Sequence, residues 1–206
     1  MALTPELVAR CERPVPDIGH GEDWPPTTAQ DLEDTTNRLM VGIDEDQPIW
    51  IFAYGSLIWK PEFEYAEHQR ALLHGWHRSF CIKLTSWRGT HDLPGLMMAL
   101  ESGGACAGVA FRLTDGNARE HIRILVKREI PFRDDLHLVR WVNLKTARGT
   151  VKALAFWLGP SGEGILPRLP LPEVAKMLAQ ACGSAGSCAS YLYNTVKSLE
   201  THDIHD

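Results

Sequence analysis

Nothing in this chain is apolar for long enough to cross a bilayer. The longest apolar runs, such as Ala153 to Leu158, fall far short of the roughly 20 residues that a spanning helix needs. No membrane partner is expected. The N-terminus has no basic stretch followed by an apolar one, so no secretory signal is expected and a cytoplasmic location is. There is no CxxC pair and no Cys/His run with zinc-like spacing. The cysteines, Cys11, Cys81, Cys106, Cys182 and Cys188, are odd in number and irregularly spaced, and read as free, reduced thiols. His74 and His77 sit in a segment that reads as strand, where an odd spacing sends side chains to opposite faces. No metal is expected. No basic cluster is interleaved with aromatics, which argues against nucleic acid as a partner. No internal repeat is evident.

What is present fits one soluble domain with a sizeable core: 206 residues, 44% of them apolar and 23% charged. The net charge of −5 is uneven. Residues 1–47 hold three basic side chains (Arg10, Arg13, Arg38) and eleven acidic ones, and the rest of the chain is mildly basic. A mildly basic body suits a small anionic substrate.

Residues 1–26 carry Pro5, Pro14, Pro16, Pro25 and Pro26 and little periodicity, and read as an irregular arm. Thr27 to Met40 reads as a helix with Thr27 or Thr28 as N-cap and Leu32, Thr36 and Leu39 on one face. Strands are expected at Ile49–Tyr54, Trp76–Leu84, Leu96–Leu100 and Ala107–Leu113, with Gly103-Gly104 turning a hairpin between the last two. Leu138–Leu144 and Val151–Leu158 form another expected hairpin around Arg148-Gly149. Helices are expected from a Thr114 cap to about Ile130, where Pro131 stops it; from Pro172 to Cys182, stopped by Gly183; and from Cys188 to Leu199, with Leu192, Val196 and Leu199 on one face. The pattern points to an α+β fold, or a small mixed barrel with helices outside. Residues 1–47 are taken as an acidic, Pro-rich N-terminal arm with one helix, 48–200 as the folded domain and 201–206 as a tail.

Two features carry chemistry. In Phe52-Ala53-Tyr54-Gly55-Ser56-Leu57 a strand ends in Gly-Ser. Free backbone N–H groups beside a glycine can hold a carboxylate or a developing oxyanion, although an ordinary strand-to-turn junction has the same pattern. The second feature is Glu129. It falls four residues after Leu125 and eleven after Ala118, on the apolar stripe Ala118, Ile122, Leu125, Val126. Burial of a carboxyl raises its pKa towards the range useful for proton transfer. A buried salt bridge or a frayed last turn is the other reading of that position.

The segment Trp50-Ile51-Phe52-Ala53-Tyr54-Gly55-Ser56-Leu57-Ile58-Trp59-Lys60-Pro61 closely resembles the opening signature of the ChaC-like γ-glutamylcyclotransferases. The resemblance continues in register through His74-Gly75-Trp76-His77-Arg78-Ser79-Phe80-Cys81, Arg88-Gly89-Thr90 with Pro94-Gly95, Gly108 to Leu113, Lys127-Arg128-Glu129 and Gly183 to Leu192. It covers about residues 48–200. It implies a small mixed β-barrel-like sheet with flanking helices. It also implies a reaction in which the α-amine of a γ-glutamyl group attacks its own γ-carbonyl, releasing 5-oxoproline and, from glutathione, Cys-Gly. Glu129 stands where the family places its catalytic acid/base. Phe52, Ala53, Tyr54, Gly55, Ser56 and Leu57 would hold the glutamyl group, and Arg88 and Tyr191 would touch substrate or brace the loop. No cofactor is implied, and glutathione is the expected small-molecule partner.

The sequence departs from the family in places. Ile130 to His137 lacks the usual Gly and Tyr, with His137 a candidate replacement contact. Ala53 stands where Gly is common, Leu96 replaces a frequent Arg, and Cys188 a frequent Asn. The altered segment leaves open a cyclotransferase for a different γ-glutamyl amine, and the scaffold a non-catalytic regulatory or binding module. A serine hydrolase built on Ser56 lacks the Gly-x-Ser-x-Gly elbow.

Overall fold

The computed structural model describes residues 3–17, 19, 24–162 and 164–205. Its elements run α1 (Pro5–Ala9), α2 (Ala29–Met40), β1 (Trp50–Ala53), α3 (Ser56–Trp59), β2 (Tyr65–Leu84), β3 (Gly95–Leu113), α4 (Ala118–Glu129), a 3₁₀ turn (Arg133–Leu138), β4 (Arg140–Thr146), β5 (Gly149–Ala155), α5 (Leu171–Gln180), β6 (Cys182–Gly183), β7 (Gly186–Ser187) and α6 (Cys188–Thr201). Strands β1 to β5 close into a barrel in the order β1-β3-β2-β4-β5. The chain divides into a central unit, Glu22–His77 with Leu100–Gly159, and a terminal unit, Met1–Gly21 with Arg78–Ala99 and Pro160–His205. Residues 1–47 therefore contribute to both.

In the central unit β1 runs antiparallel to β3 (Ile51↔Phe111) and parallel to β5 (Trp50↔Ala153). A strand with neighbours on both edges and both faces covered reads as an unbroken apolar run, which is the Ile51-Phe52-Ala53 pattern. Ile51, Phe52, Val109, Ala110, Ile122, Val126, Leu144 and Leu154 have no exposed surface. Each large aliphatic among them contributes roughly 1.5–3 kcal/mol by burial. The expected hairpin is β4–β5, paired from Arg140↔Ala155 to Thr146↔Gly149.

The helix after the N-terminal arm is capped by Thr28. Its hydroxyl accepts from the N–H of Asp31 at 3.2 Å, and the Asp31 carboxylate accepts from the N–H of Thr28 at 2.9 Å. This reciprocal capping box holds the Asp31 carboxyl at about 2, chiefly through the Thr28 hydroxyl. Leu32, Thr36 and Leu39 are buried together as expected.

The terminal unit is built round Leu96, Leu178, Ala181 and Cys188, with Phe80, Val174 and Leu192 packed against them. Its N-terminal segment is more ordered than its prolines suggest. Thr4 caps α1, and Glu12 accepts from the Ser187 hydroxyl at 2.7 Å and the Ser187 N–H at 3.2 Å. The five cysteines are free; all but Cys11 are buried.

Four expectations on local structure change. Gly103-Gly104 makes no hairpin: both have positive φ (101° and 69°) inside the single strand β3, where glycine accommodates a local distortion of the ladder. Thr114 does not cap α4. The N-cap is Asn117 in the left-handed region (φ 62°), and the helix N–H groups are met from outside, by the Glu45 carbonyl on Ala118 (3.2 Å) and the Glu45 carboxylate on Arg119 (3.3 Å). The helix expected from Pro172 to Cys182, α5, ends at Gln180, because Cys182-Gly183 turns into the β6–β7 ladder. Val196 is 41% exposed, and the buried face of α6 is instead Cys188, Ala189, Tyr191, Thr195 and Leu199.

Candidate active site

In the central unit, α4 buries Ala118, Ile122, Leu125 and Val126, and Glu129 follows on the same side as its last residue. The Glu129 side chain is only 13% exposed. Burial pushes its carboxyl up to about 7 from an ordinary 4.5; the Arg128 guanidinium pulls the other way and the Glu62 carboxylate adds to the rise. The C-terminal end of a helix also disfavours a negative charge. A carboxyl balanced near neutrality can take a proton and give it back.

The strand β1 delivers the chain to Tyr54-Gly55, and α3 begins at Ser56. Phe52 and Ala53 lie wholly in the core. Tyr54 is buried too; its hydroxyl donates to the Phe156 carbonyl at 3.1 Å and its ring stacks 6.0 Å from Phe52. Gly108 on β3 makes this close approach possible, since a Cβ there would lie 2.5 Å from the Ala53 carbonyl oxygen and 2.7 Å from the Phe52 ring. Leu57 and Ile58 anchor α3 in the core. Of the six predicted residues here, the side chains of Phe52, Ala53, Tyr54 and Leu57 are therefore structural. Ser56, which is half-buried, and the loop backbone remain, and the first N–H groups of a helix have no acceptor within it.

Two residues that the sequence reading did not single out join α4 to the chain leaving α3. Arg128 donates to the carbonyls of Lys60 and Pro61. Its Nε lies 3.1 Å from Glu129 Oε1 and 3.4 Å from Glu62 Oε2. The adjacent Arg-Glu pair was visible in sequence; its third partner, Glu62, was not.

Arg88 and Tyr191 belong to the terminal unit. The Arg88 guanidinium donates to the Ser187 carbonyl at 3.0 Å and lies 5.6 Å above the Tyr191 ring. Tyr191 is buried, with Phe80 edge-on at 6.2 Å. Cys188, where the resemblance led one to look for Asn, donates its thiol to the Arg88 carbonyl at 3.2 Å. Arg88, within the loop from Thr85 to Pro94, and Tyr191 thus meet each other. A cleft of about 200 Å³ in this unit is lined by Val15, Pro16, Thr85, Trp87 and Thr90 among others, and by none of the central-unit site residues.

His137 lies 2.7 Å from the Asp134 carbonyl through Nδ1, within its own 3₁₀ turn, and is exposed. Among the described residues no group of three or more His, Cys, Asp or Glu side chains could hold a metal ion, and no helix is long and apolar enough to cross a membrane.

Comparison with known proteins finds relatives over most of the chain. The glutathione-specific γ-glutamylcyclotransferase of Escherichia coli is 37% identical over 156 residues, 75% of this chain and 67% of that protein. The glutathione-specific γ-glutamylcyclotransferase 1 of mouse is 30% identical over 154 residues, 73% of this chain and 69% of that protein. Among solved structures, the yeast γ-glutamyl cyclotransferase specific to glutathione superposes with a TM-score of 0.66 over 78% of this chain and 90% of that one, at 20% identity; that likeness is one of fold. The family described as ChaC-like protein matches residues 49–206. With the barrel, its flanking helices and most of the chain's length accounted for, this protein belongs to the ChaC-like family.

Proposed function

We propose that this chain degrades glutathione by intramolecular cyclotransfer, with Glu129 as the general acid/base. The observation that carries the reading is the Glu129 carboxyl, buried at the end of an apolar helix face and balanced at about 7. The family relation and the named activities of the E. coli and mouse relatives support the substrate and the reaction.

The chemistry asks little of the protein. The nucleophile comes with the substrate, so holding the glutamyl chain folded back supplies most of the effect; intramolecular orientation is worth effective molarities of about 10⁵–10⁸ M. The ionised Glu129 takes a proton from the substrate ammonium. The freed amine attacks the γ-carbonyl, the C–N bond to cysteine breaks as Glu129 returns the proton to the leaving nitrogen, and the ring nitrogen sheds its second proton to solvent, the released Cys-Gly amine taking one up in turn. The products are 5-oxoproline and Cys-Gly. Backbone N–H groups in Gly55 to Leu57 steady the oxyanion. The scheme draws every reacting group from substrate and carboxyl and needs no cofactor. The same reading takes the chain as cytoplasmic.

Purified protein incubated with reduced glutathione should yield 5-oxoproline and Cys-Gly by mass spectrometry, and Glu129→Gln should not. Equal turnover in the two would remove Glu129 from the chemistry. Ser56→Ala should slow the reaction without abolishing it; an acyl-enzyme on Ser56 would point to a hydrolase instead. A second reading is a different γ-glutamyl amine as substrate. It is favoured by Ile130 to His137, which lacks the family's Gly and Tyr and runs into the 3₁₀ turn at Arg133–Leu138. A substrate panel separates the two.

A further inference from the structure

The Lys60-Pro61-Glu62 turn has an unusual construction. Glu62 is held at φ 52°, in the left-handed region that non-glycine residues seldom adopt. Such conformations are strained and persist only where the surroundings over-determine them. Here Arg128 takes the carbonyls of Lys60 and Pro61 and the carboxylate of Glu62, and still reaches Glu129. We propose that Glu62 and Arg128 are positioning residues for Glu129, one guanidinium being shared between two carboxylates and pinned by the turn that leaves α3. The proposal rests on the reading of Glu129 as acid/base.

The logic is electrostatic. Arg128 alone would hold Glu129 as a carboxylate. Glu62 competes for the same cation and adds a like charge. Lys60, 2.9 Å from Glu62, partly offsets that charge at the exposed end. Of the other cations near the end of α4, Lys127 in the last turn is exposed and Arg133 is engaged with Asp31 at 2.9 Å. Burial raises the Glu129 carboxyl, Arg128 lowers it and Glu62 raises it again. The balance is thus set from the turn next to the Tyr54–Leu57 loop, and moving that turn moves the acid/base with it.

The test is the pH profile of kcat/KM for 5-oxoproline release, measured on Glu62→Gln, Arg128→Gln and Glu129→Gln beside the parent. The substrate amine titrates identically in every case, so differences belong to the protein. Glu62→Gln keeps the shape and removes the competing anion. The acid limb should move to lower pH, raising kcat/KM at pH 6 about two- to fivefold with little change at pH 8.5; the modest size reflects a side chain that is 50% exposed. Arg128→Gln should move the limb to higher pH and cost about tenfold or more at pH 6, and less at pH 8.5. Profiles that scale uniformly with unmoved limbs would overturn the proposal. If Arg128→Gln does not fold, Glu62→Gln carries the decision. Should Glu129→Gln prove fully active, the acid/base reading has failed, and titration of the ¹³C-labelled Glu129 carboxyl decides the positioning separately. Its midpoint must fall in Glu62→Gln, and an unmoved midpoint overturns the proposal.

Discussion

Thr27 and Ile130 lie 103 residues apart in sequence and share a hydrogen bond, the threonine hydroxyl donating to the Ile130 carbonyl at 2.9 Å. The Thr27 N–H donates to the Pro131 carbonyl at 2.8 Å, and the Arg133 N–H to the Pro25 carbonyl at 3.0 Å. The chain just beyond Glu129 is therefore clamped by the segment before α2. Thr27→Val keeps the shape and removes the donor. It should cost about 1 kcal/mol, the typical net worth of such a bond, read as a shift in urea midpoint at unchanged m-value.

Glu129 should weaken the fold that holds it. Its carboxyl titrates at about 7 in the folded chain and at an ordinary 4.5 otherwise. Between those values the native state keeps a proton that the unfolded chain releases. The favourable contribution is complete below pH 4.5 and is lost as pH rises through 7. Glu129→Gln removes the buried charge, so its advantage over the parent should grow across that window to ~1–3 kcal/mol at pH 8. Urea unfolding at pH 5 and pH 8 checks this; an advantage independent of pH would count against it.

The N-terminus of α4 is served by Glu45 from the acidic turn after α2, not by Thr114. Glu45→Ala should cost about 1 kcal/mol, as loss of a cap usually does. Thr114→Ala should stay within about 0.5 kcal/mol, as an ordinary surface change does. Thermal unfolding of the two variants distinguishes them.

The contrast between Glu45 and Thr114 shows where sequence reading stops. Periodicity located β1, α2, α4 and the β4–β5 hairpin, because the alternation of apolar and polar residues is a local record of which side is buried. It also placed Glu129 on the inner face of its helix. It could not see Glu45, since a cap from 74 residues away leaves no mark beside the helix. The same holds for Glu62, which meets Arg128 only once the barrel has formed. The Gly103-Gly104 pair misled for the opposite reason: its conformational freedom is real, but β3 uses it for a distortion within one strand. Arg88 and Tyr191 are legible through family resemblance alone, and their contacts include each other, Ser187, Phe80 and Cys188.

Gly183 illustrates a constraint of a different kind. It was expected as a helix stop. In the structure a Cβ there would lie 2.2 Å from the Trp87 carbonyl oxygen; the same oxygen accepts the N–H of Ala185 at 2.7 Å. Backbone meets backbone, so nothing flexible can give way. Gly183→Ala should cost about 3 kcal/mol or more, in the range of severe overpacking, and should lower the yield of folded protein. A melting temperature within about 2 °C of the parent's would show that the loop yields after all.

The barrel seam has a consequence for when this protein can first act. β1 pairs with β5 from about a hundred residues further along the chain, and Tyr54 depends on the carbonyl of Phe156. Such distant contacts carry a loop-closure cost before they give any return, so they form late on the folding pathway. During synthesis the loop at Tyr54 emerges long before the strand that completes its setting. A nascent chain thus carries Tyr54 in an unfinished frame. The setting of Tyr54 is complete only once β5 and Phe156 have left the ribosome.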